Sequence, residues 1–163
     1  MANDGTNQAR AHDPFRSYKF KVTSKSIAGS EVGFQKVTGL KEASDVIEYR
    51  EGIDPIWKRK LPGLTNYDPV TLTRGATSTD AIIGGRKKVA FAENNGEGVS
   101  NFRDSVSIQL MDRGSEESNS VRTWTLLNAW PVELNYSDLN AEGSEILIES
   151  LVLANEGIKV ENK

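Results

Sequence analysis

The chain has 163 residues, a formal net charge of −3, and 37% hydrophobic and 26% charged residues. This balance is ordinary for a globular protein with a real core, and it excludes a disordered chain. No apolar run approaches the roughly 20 residues that a membrane-spanning helix needs, and the first 14 residues hold no apolar segment typical of a secretory signal. We predict one domain over residues 14–163, preceded by a flexible leader over residues 1–13.

The residue types give little support to catalysis or cofactor chemistry. The chain has no cysteine, and its single histidine, His12, lies in the polar leader. Disulfides, thiolate catalysis and cysteine-ligated metals are therefore excluded. A serine–histidine–acid triad is disfavoured because its histidine has to be held in a pocket, and the negative net charge disfavours tight binding of DNA phosphates. We predict no catalytic residues, no cofactor and no metal site.

One stretch imitates a calcium-binding loop. Asp138, Asn140, Glu142 and Gly143, followed by Glu149, nearly fit the EF-hand spacing. The flanking residues alternate as strands do, whereas an EF-hand loop joins two helices. We therefore interpret residues 138–143 as a hairpin turn.

The first two-thirds of the chain predict strands and one helix. Apolar and polar residues alternate, as half-buried strands require, over 18–22, 32–37, 70–73 and 106–110. Residues 78–92 predict a short helix, although Gly84 and Gly85 each cost it about 1 kcal/mol. The basic run Arg86–Lys88 would then lie on a solvated helix face.

Residues 45–64 predict a long, strongly charged hairpin, with acidic residues on one strand and basic residues on the other. In the simple interpretation it is solvated and held by cross-strand ion pairs. In the alternative it is an arm that docks on a neighbouring molecule, because a cluster of apolar residues would otherwise face water near its tip. The candidate contact residues are Tyr49, Ile53, Ile56 and Trp57.

The stretch 121–157 predicts two long strands joined by a polar turn, and it organises the rest of the chain. Its second strand is apolar on both faces. One face carries Ile146, Ile148 and Val152, and the other carries Leu147, Leu151 and Leu153. A solvated antiparallel sheet keeps one polar face, so two apolar faces need cover on both sides. We expect one face to meet the core and the other a neighbouring subunit, with Leu147, Leu151 and Leu153 as the candidate subunit contacts.

Together these elements predict a mainly β fold. Regularly spaced strands with turn signals are typical of an antiparallel β-sandwich or barrel. The prediction adds one short α-helix and a protruding β-hairpin arm.

Several motifs, in order, resemble a known family. They are DPFRSYKFKV (13–22), FQKVTGL (34–40), VIEYREG (46–52), KLPGLTNYDPVTLTRG (60–75) and LLNAWPVELNYSDLNAEGSEILIESLVLANEG (126–157). These segments are similar to the tail tube protein of contractile phage tails and related contractile injection systems. The similarity covers most of residues 13–158. Residues 76–100 depart from it, because they hold a double glycine and no tryptophan where family members usually have a tryptophan-bearing helix.

The resemblance implies a structural protein and no enzyme. Its subunits would form hexameric rings that stack into the inner tube of a contractile tail, with the arm and the N-terminal segment bridging subunits or rings. The implied partners are other copies, the sheath protein, the baseplate or spike, and tape-measure or terminator proteins. DNA or protein cargo would pass through the lumen without tight binding, and no membrane insertion is expected. The expected location is a virion tail or injection particle assembled in the bacterial cytoplasm.

The channel that the resemblance implies needs polar lining residues. Alternate strand positions supply candidates, and these are Thr71, Thr73, Ser107 and Gln109. The tube sequence alone leaves a phage tail and a toxin-delivering particle equally open.

Two rival functions are kept beside the tube. A monomeric β-sandwich binding module, for example one that binds carbohydrate, would show exposed aromatics clustered on a platform. A glycosidase would need two convergent carboxylates, and no particular pair stands out among the 23 acidic residues.

Overall fold

The structure is a computed structural model, and it describes residues 14–25, 32–53, 55–78, 80–90, 102–111 and 120–162. These ranges contain nine β-strands and one α-helix. In chain order they are β1 (Phe20–Thr23), β2 (Lys36–Thr38), β3 (Glu42–Tyr49), β4 (Arg59–Tyr67), β5 (Val70–Gly75), α1 (Ala81–Ala90), β6 (Asp104–Met111), β7 (Ser120–Tyr136), β8 (Ile148–Ala154) and β9 (Gly157–Asn162). The predicted leader 1–13 lies outside the described residues.

The longest strand, β7, pairs antiparallel with both β8 and β9, so the three form one long hairpin. The register is the same on both sides of the break between β8 and β9, from Arg122 opposite Asn162 to Pro131 opposite Leu153. At the break, Asn128 adopts a positive φ of 50°, which asparagine tolerates better than most residues. The Asn128 side-chain amide donates a hydrogen bond to Glu156 at 2.7 Å.

The remaining strands attach to opposite edges of this hairpin and form two layers. The β6 layer consists of β1, β6, the first part of β7, and β9. The β8 layer consists of β2, β5, β8 and the last part of β7. Every pairing in both layers is antiparallel. The mainly β, antiparallel fold predicted from the sequence is therefore confirmed.

One apolar core lies between the two layers. The β6 layer contributes Val22, Val106, Ile108 and Leu126, all of which are buried. The β8 layer contributes Val70, Leu72, Leu151 and Leu153. In each layer these side chains occupy alternate strand positions, so the other face of each layer points away from the core.

A buried ion pair borders the core in the β8 layer. Arg74 and Glu149 are direct cross-strand partners, and the Arg74 Nε donates a hydrogen bond to Glu149 Oε1. Their side chains are 5% and 3% exposed. Because buried charges are costly unless they are paired, this contact favours the observed register of β5 and β8.

The helix α1 confirms the helix that residues 78–92 predict, despite its two glycines. The Gly84 amide donates to the Asp80 carbonyl in the first turn. Ile82 is buried in the core, whereas Lys87 and Lys88 are exposed. The helical part of the described chain offers no segment long and apolar enough to cross a lipid bilayer.

The arm is a continuation of the hairpin formed by β2 and β5. Thr38 faces Thr71 in this hairpin, and Glu42 faces Tyr67 in the β3–β4 pair, which is the same register. The chain crosses from one pair to the other at Gly39, whose φ is +88°. A Cβ at Gly39 would lie 2.1 Å from the Pro69 carbonyl oxygen. Glycine is therefore required at the base of the arm.

One strand prediction was too long, and one strand was missed. Residues 32–35 do not form a strand, and β2 is limited to three residues. The C-terminal strand β9 was not predicted, because its lysine and glutamate residues obscure a short alternation.

We expect Glu149→Gln to destabilise the unassembled protein by about 3–5 kcal/mol, because it removes the negative charge opposite the buried Arg74. Asp68→Asn is the matched control. Asp68 pairs with Lys41 at 3.0 Å on the surface, so its loss should cost less than about 1 kcal/mol. Urea unfolding followed by circular dichroism measures both values. Equal costs for the two variants would contradict the assigned role of the buried pair.

We expect Gly39→Ala to lower the free energy of unfolding by more than about 1 kcal/mol, since it combines a positive φ with a steric clash. The control is Gly84→Ala in α1, where a Cβ meets nothing within 4 Å. That substitution should stabilise the protein by about 0.5–1 kcal/mol. Thermal and urea unfolding distinguish the two signs, and a stabilising Gly39→Ala would show that the arm base is not constrained as described.

Candidate assembly surfaces

Both faces of the arm lie in solvent. All eight residues of β3 and seven of the nine residues of β4 are exposed. One face carries Ile47, Tyr49 and Leu61, each about half exposed. At the tip, Ile53 and Ile56 are each 93% exposed and Trp57 is 66% exposed. An isolated two-stranded hairpin is marginally stable in water, so this apolar surface has a physical reason to be covered by another molecule.

An ion pair joins the two strands of the arm near the tip. Lys58 Nζ lies 2.7 Å from Glu48 Oε2. The hydrogen bond to Glu48 and the charge of this carboxylate raise the pKa of Lys58. The solvated, cross-strand ion pair predicted from the sequence is therefore present. It is compatible with docking of the apolar tip residues and does not decide between the two interpretations.

Two of the predicted subunit contacts lie elsewhere than expected. Leu151 and Leu153 are 1% and 0% exposed and pack in the core between the layers. They are therefore unavailable to a neighbouring subunit, and Leu147 just precedes β8 and is half-buried. The face of β8 that points outward carries Ile148 and Val152. The strand does have two apolar faces, but the sequence could not show which one belongs to the core.

The four predicted lumen residues divide between the two layers. Thr71 and Thr73 lie on the outer face of the β8 layer, opposite Val152 and Ser150. Ser107 and Gln109 lie on the outer face of the β6 layer. Because one core lies between the layers, the two outer faces point in opposite directions. The two pairs therefore do not form one surface in a single protomer.

Two neighbouring rows on the outer face of the β6 layer are polar across all four strands, and beyond them Leu127 of β7 is 42% exposed. One row runs through Thr23, Ser107, Thr125 and Lys159. The next row runs through Lys21, Gln109, Thr123 and Glu161. Lys159 Nζ lies 2.7 Å from Glu161 Oε1. This hydrogen bond and the attraction between the charges raise the pKa of Lys159 and lower the pKa of Glu161.

An apolar groove of about 690 Å³ opens between β1 and β2. The Arg122 guanidinium lies over two of its aromatic rings, 5.6 Å from the centroid of Phe15 and 6.0 Å from that of Trp124. Its lining residues are Phe15, Ser17, Tyr18, Phe20, Gln35, Lys36, Val37, Leu40, Ile108, Leu110, Arg122 and Trp124. Sequence reasoning did not find this groove, because its residues come from four separate segments of the chain.

The calcium-like stretch forms the connection between β7 and β8. Its turn lies at residues 141–142, and the Glu142 amide donates to Asn140 Oδ1 at 3.0 Å. Glu149, the last residue of the imitated pattern, is directed to Arg74 in the core. The predicted hairpin turn is confirmed. Over the described ranges, no three acidic or histidine side chains come together as metal ligands.

Residues 16–159 match the profile of the family described as T4-like virus tail tube protein gp19. The chain belongs to this tail tube family. Comparison with curated protein sequences gives no significant match.

Solved structures have the same fold as this tail tube family member. A chain of an extracellular contractile injection system, from a PVC sheath-tube complex in the extended state, superposes with a TM-score of 0.73 at 23% identity, covering 97% of this chain and 98% of that one. A chain of the anti-feeding prophage baseplate gives 0.73 at 25% identity, covering 92% and 97%. A type six secretion system protein gives 0.56 at 8% identity, covering 90% and 84%.

For this tail tube family member, we expect Lys159→Gln to bring the pKa of Glu161 back up toward the ordinary glutamate value, because the positive partner is lost. The lowered pKa of Glu161 means that the contact stabilises the folded state above the unfolded pKa. This stabilisation is lost as the pH falls through the folded pKa. Carbon-13 NMR of the carboxyl group in unassembled protein measures the shift. Lys41→Gln, which alters a different pair, should leave Glu161 unchanged.

Proposed function

We propose that this protein self-assembles into hexameric rings that stack as the inner tube of a contractile tail, and that the tube conducts DNA or protein effectors. The observation that carries the proposal is the arm, whose two faces are exposed along β3 and nearly all of β4. Membership of the tail tube family supports the same conclusion. Such a protein assembles through subunit contacts and lets cargo pass through a polar bore, and neither role needs a catalytic residue.

Subunit contacts of two kinds are proposed. Strand edges that no described strand covers invite pairing between copies, which closes a ring. The arm, through Tyr49, Ile53, Ile56 and Trp57, reaches a neighbouring subunit or ring. In this arrangement an apolar arm surface that costs free energy in the free protomer becomes buried when the tube forms.

The enclosing and capping partners follow from the same proposal. The similar solved structures come from a sheath-tube complex, a baseplate and a tube-terminating cap. A sheath, a baseplate or spike, and tape-measure or terminator proteins are therefore the proposed partners of this chain. The proposed location is a virion tail or an injection particle, assembled in the bacterial cytoplasm.

We expect the purified protein to form rings or tubes, and a variant with Ile53→Ser, Ile56→Ser and Trp57→Ser to stay monomeric with an unchanged fold. These three side chains are exposed in the protomer, so their loss removes contact surface without opening the core. Negative-stain electron microscopy and sedimentation report assembly, and circular dichroism and urea unfolding report the fold. The matched control, Ile53→Val, Ile56→Val and Trp57→Phe, keeps the tip apolar and should assemble.

Tubes formed by the serine variant would contradict the proposed arm contact but not the proposed tube. If the unaltered protein stayed monomeric at every concentration, the proposed tube itself would be contradicted. That second outcome would favour a monomeric β-sandwich binding module.

A further inference from the structure

A short segment of the chain lies beside the apolar groove just before β1 begins. It consists of residues 14–19, which we call the strap, and all six of its residues are exposed. Its two aromatic side chains, Phe15 and Tyr18, both line the groove. They are nevertheless 56% and 64% exposed. The strap therefore rests on the groove without being packed into it.

The strap runs inward from the edge of the β6 layer. Its last residue, Lys19, extends the pairing of β1 with β6, because the Met111 amide donates to the Lys19 carbonyl at 2.9 Å. At the other end, Phe15 contacts Arg122 of β7, the strand beyond β6. Arg122 is two positions from Trp124, which packs against the core, so both side chains lie on the core side of β7. The strap thus crosses the end of β6 on its core side.

Arg122 is positioned to hold the strap. Its Nε donates a hydrogen bond to Asn162 Oδ1 of β9 at 2.8 Å. Its guanidinium carbon lies 5.6 Å from the centroid of the Phe15 ring, within the distance at which a cation is attracted to an aromatic face. At an exposed ring this attraction changes an equilibrium by only about two- to fivefold. The contact between Phe15 and Arg122 is therefore a latch that releases easily.

The strap lies where another copy would approach. The groove opens between β1 and β2, which are the end strands of the sheet path. The strap forms one wall of this groove, and its exposed side chains directly precede the edge strand β1. Covering an edge with a loop is a known device against pairing with other chains. Release of the strap would bare more of the apolar wall formed by Phe20, Ile108 and Leu110.

We propose that the strap is an autoinhibitory cover of the unassembled protein. Latched by Arg122, it shields the groove and the adjoining edge of β1. Released, it leaves both open to another copy of the chain. The strap thereby slows the first contacts between copies without any change in the folded core. The part of this inference that concerns assembly rests on the proposed tube.

Trypsin cleavage between Arg16 and Ser17 in unassembled protein measures release of the strap. At low protease concentration the cleavage rate follows the population of the open form. Arg122→Gln leaves the cleaved bond intact, and we expect the fragment that begins at Ser17, identified by its mass, to appear about two- to fivefold faster. The control is Arg103→Gln, which removes an arginine 5.6 Å from the centroid of a different ring, that of Phe102. It should leave the rate unchanged.

Light scattering during tube formation tests the inhibitory role. We expect Phe15→Ala to shorten the lag by about twofold or more, because the ring of the latch is lost. Phe15→Trp should lengthen the lag, since tryptophan is the strongest aromatic partner of a cation. Phe15 is an exposed side chain, so neither change opens the core, and circular dichroism checks that the fold is kept.

An unchanged cleavage rate in Arg122→Gln, or an equal increase in Arg103→Gln, would show that Arg122 does not latch the strap. An unaltered or longer lag in Phe15→Ala would overturn the inhibitory role. If the unaltered protein and every variant stay monomeric, the proposed function fails, and the cleavage rates still decide whether the latch exists.

Discussion

The fold depends on one long hairpin that belongs to both layers. Strand β7 pairs with β9 over its first part and with β8 over its last part, without a change of register at the break. The bend is possible because Asn128 takes a left-handed backbone conformation, and Gly157 of β9 pairs with the preceding residue, Leu127. A Cβ at Gly157 would lie 3.3 Å from the Leu127 side chain, so a larger residue here would require that side chain to shift by a few tenths of an ångström. Once the hairpin is bent, its apolar faces enclose the core, and β6 and β5 can pair only on opposite edges.

The same bend explains why the protomer buries its core but leaves strand edges and apolar side chains exposed at its surface. It divides the strands into two small layers, each with two edges that no described strand covers. The hairpin of β2 and β5 extends past the core as the arm, where nothing in the described chain shields the apolar side chains. Family membership and these open surfaces lead to the same proposal. In the proposed tube, neighbouring copies of the chain bury these surfaces.

The alternation of apolar and polar residues predicted many of the strands. It did not predict which side chains face the core where an extra residue is inserted into a strand. The strands around Phe20, Val70, Ile108 and Leu134 were predictable, since one buried face imposes a period of two. The insertion at Asn128 brings Ala129 to the core side together with Leu126, and no sequence signal marks such a shift. For β8 both faces are apolar, so the alternation was visible but its orientation was not. The open edges and the groove depend on pairing between distant segments, which single-sequence periodicity does not report.

The shared register of the arm and the β2–β5 hairpin has a mechanical consequence. The ladder runs from Lys36 opposite Thr73 into the arm, and at the junction the Asp68 amide donates to the Lys41 carbonyl at 3.1 Å. A pull along the strands is resisted by many of these hydrogen bonds at once, in shear. A pull across them would unzip one pair at a time. In the proposed tube, an arm joined in this way would pass force along the strands to the β8 layer.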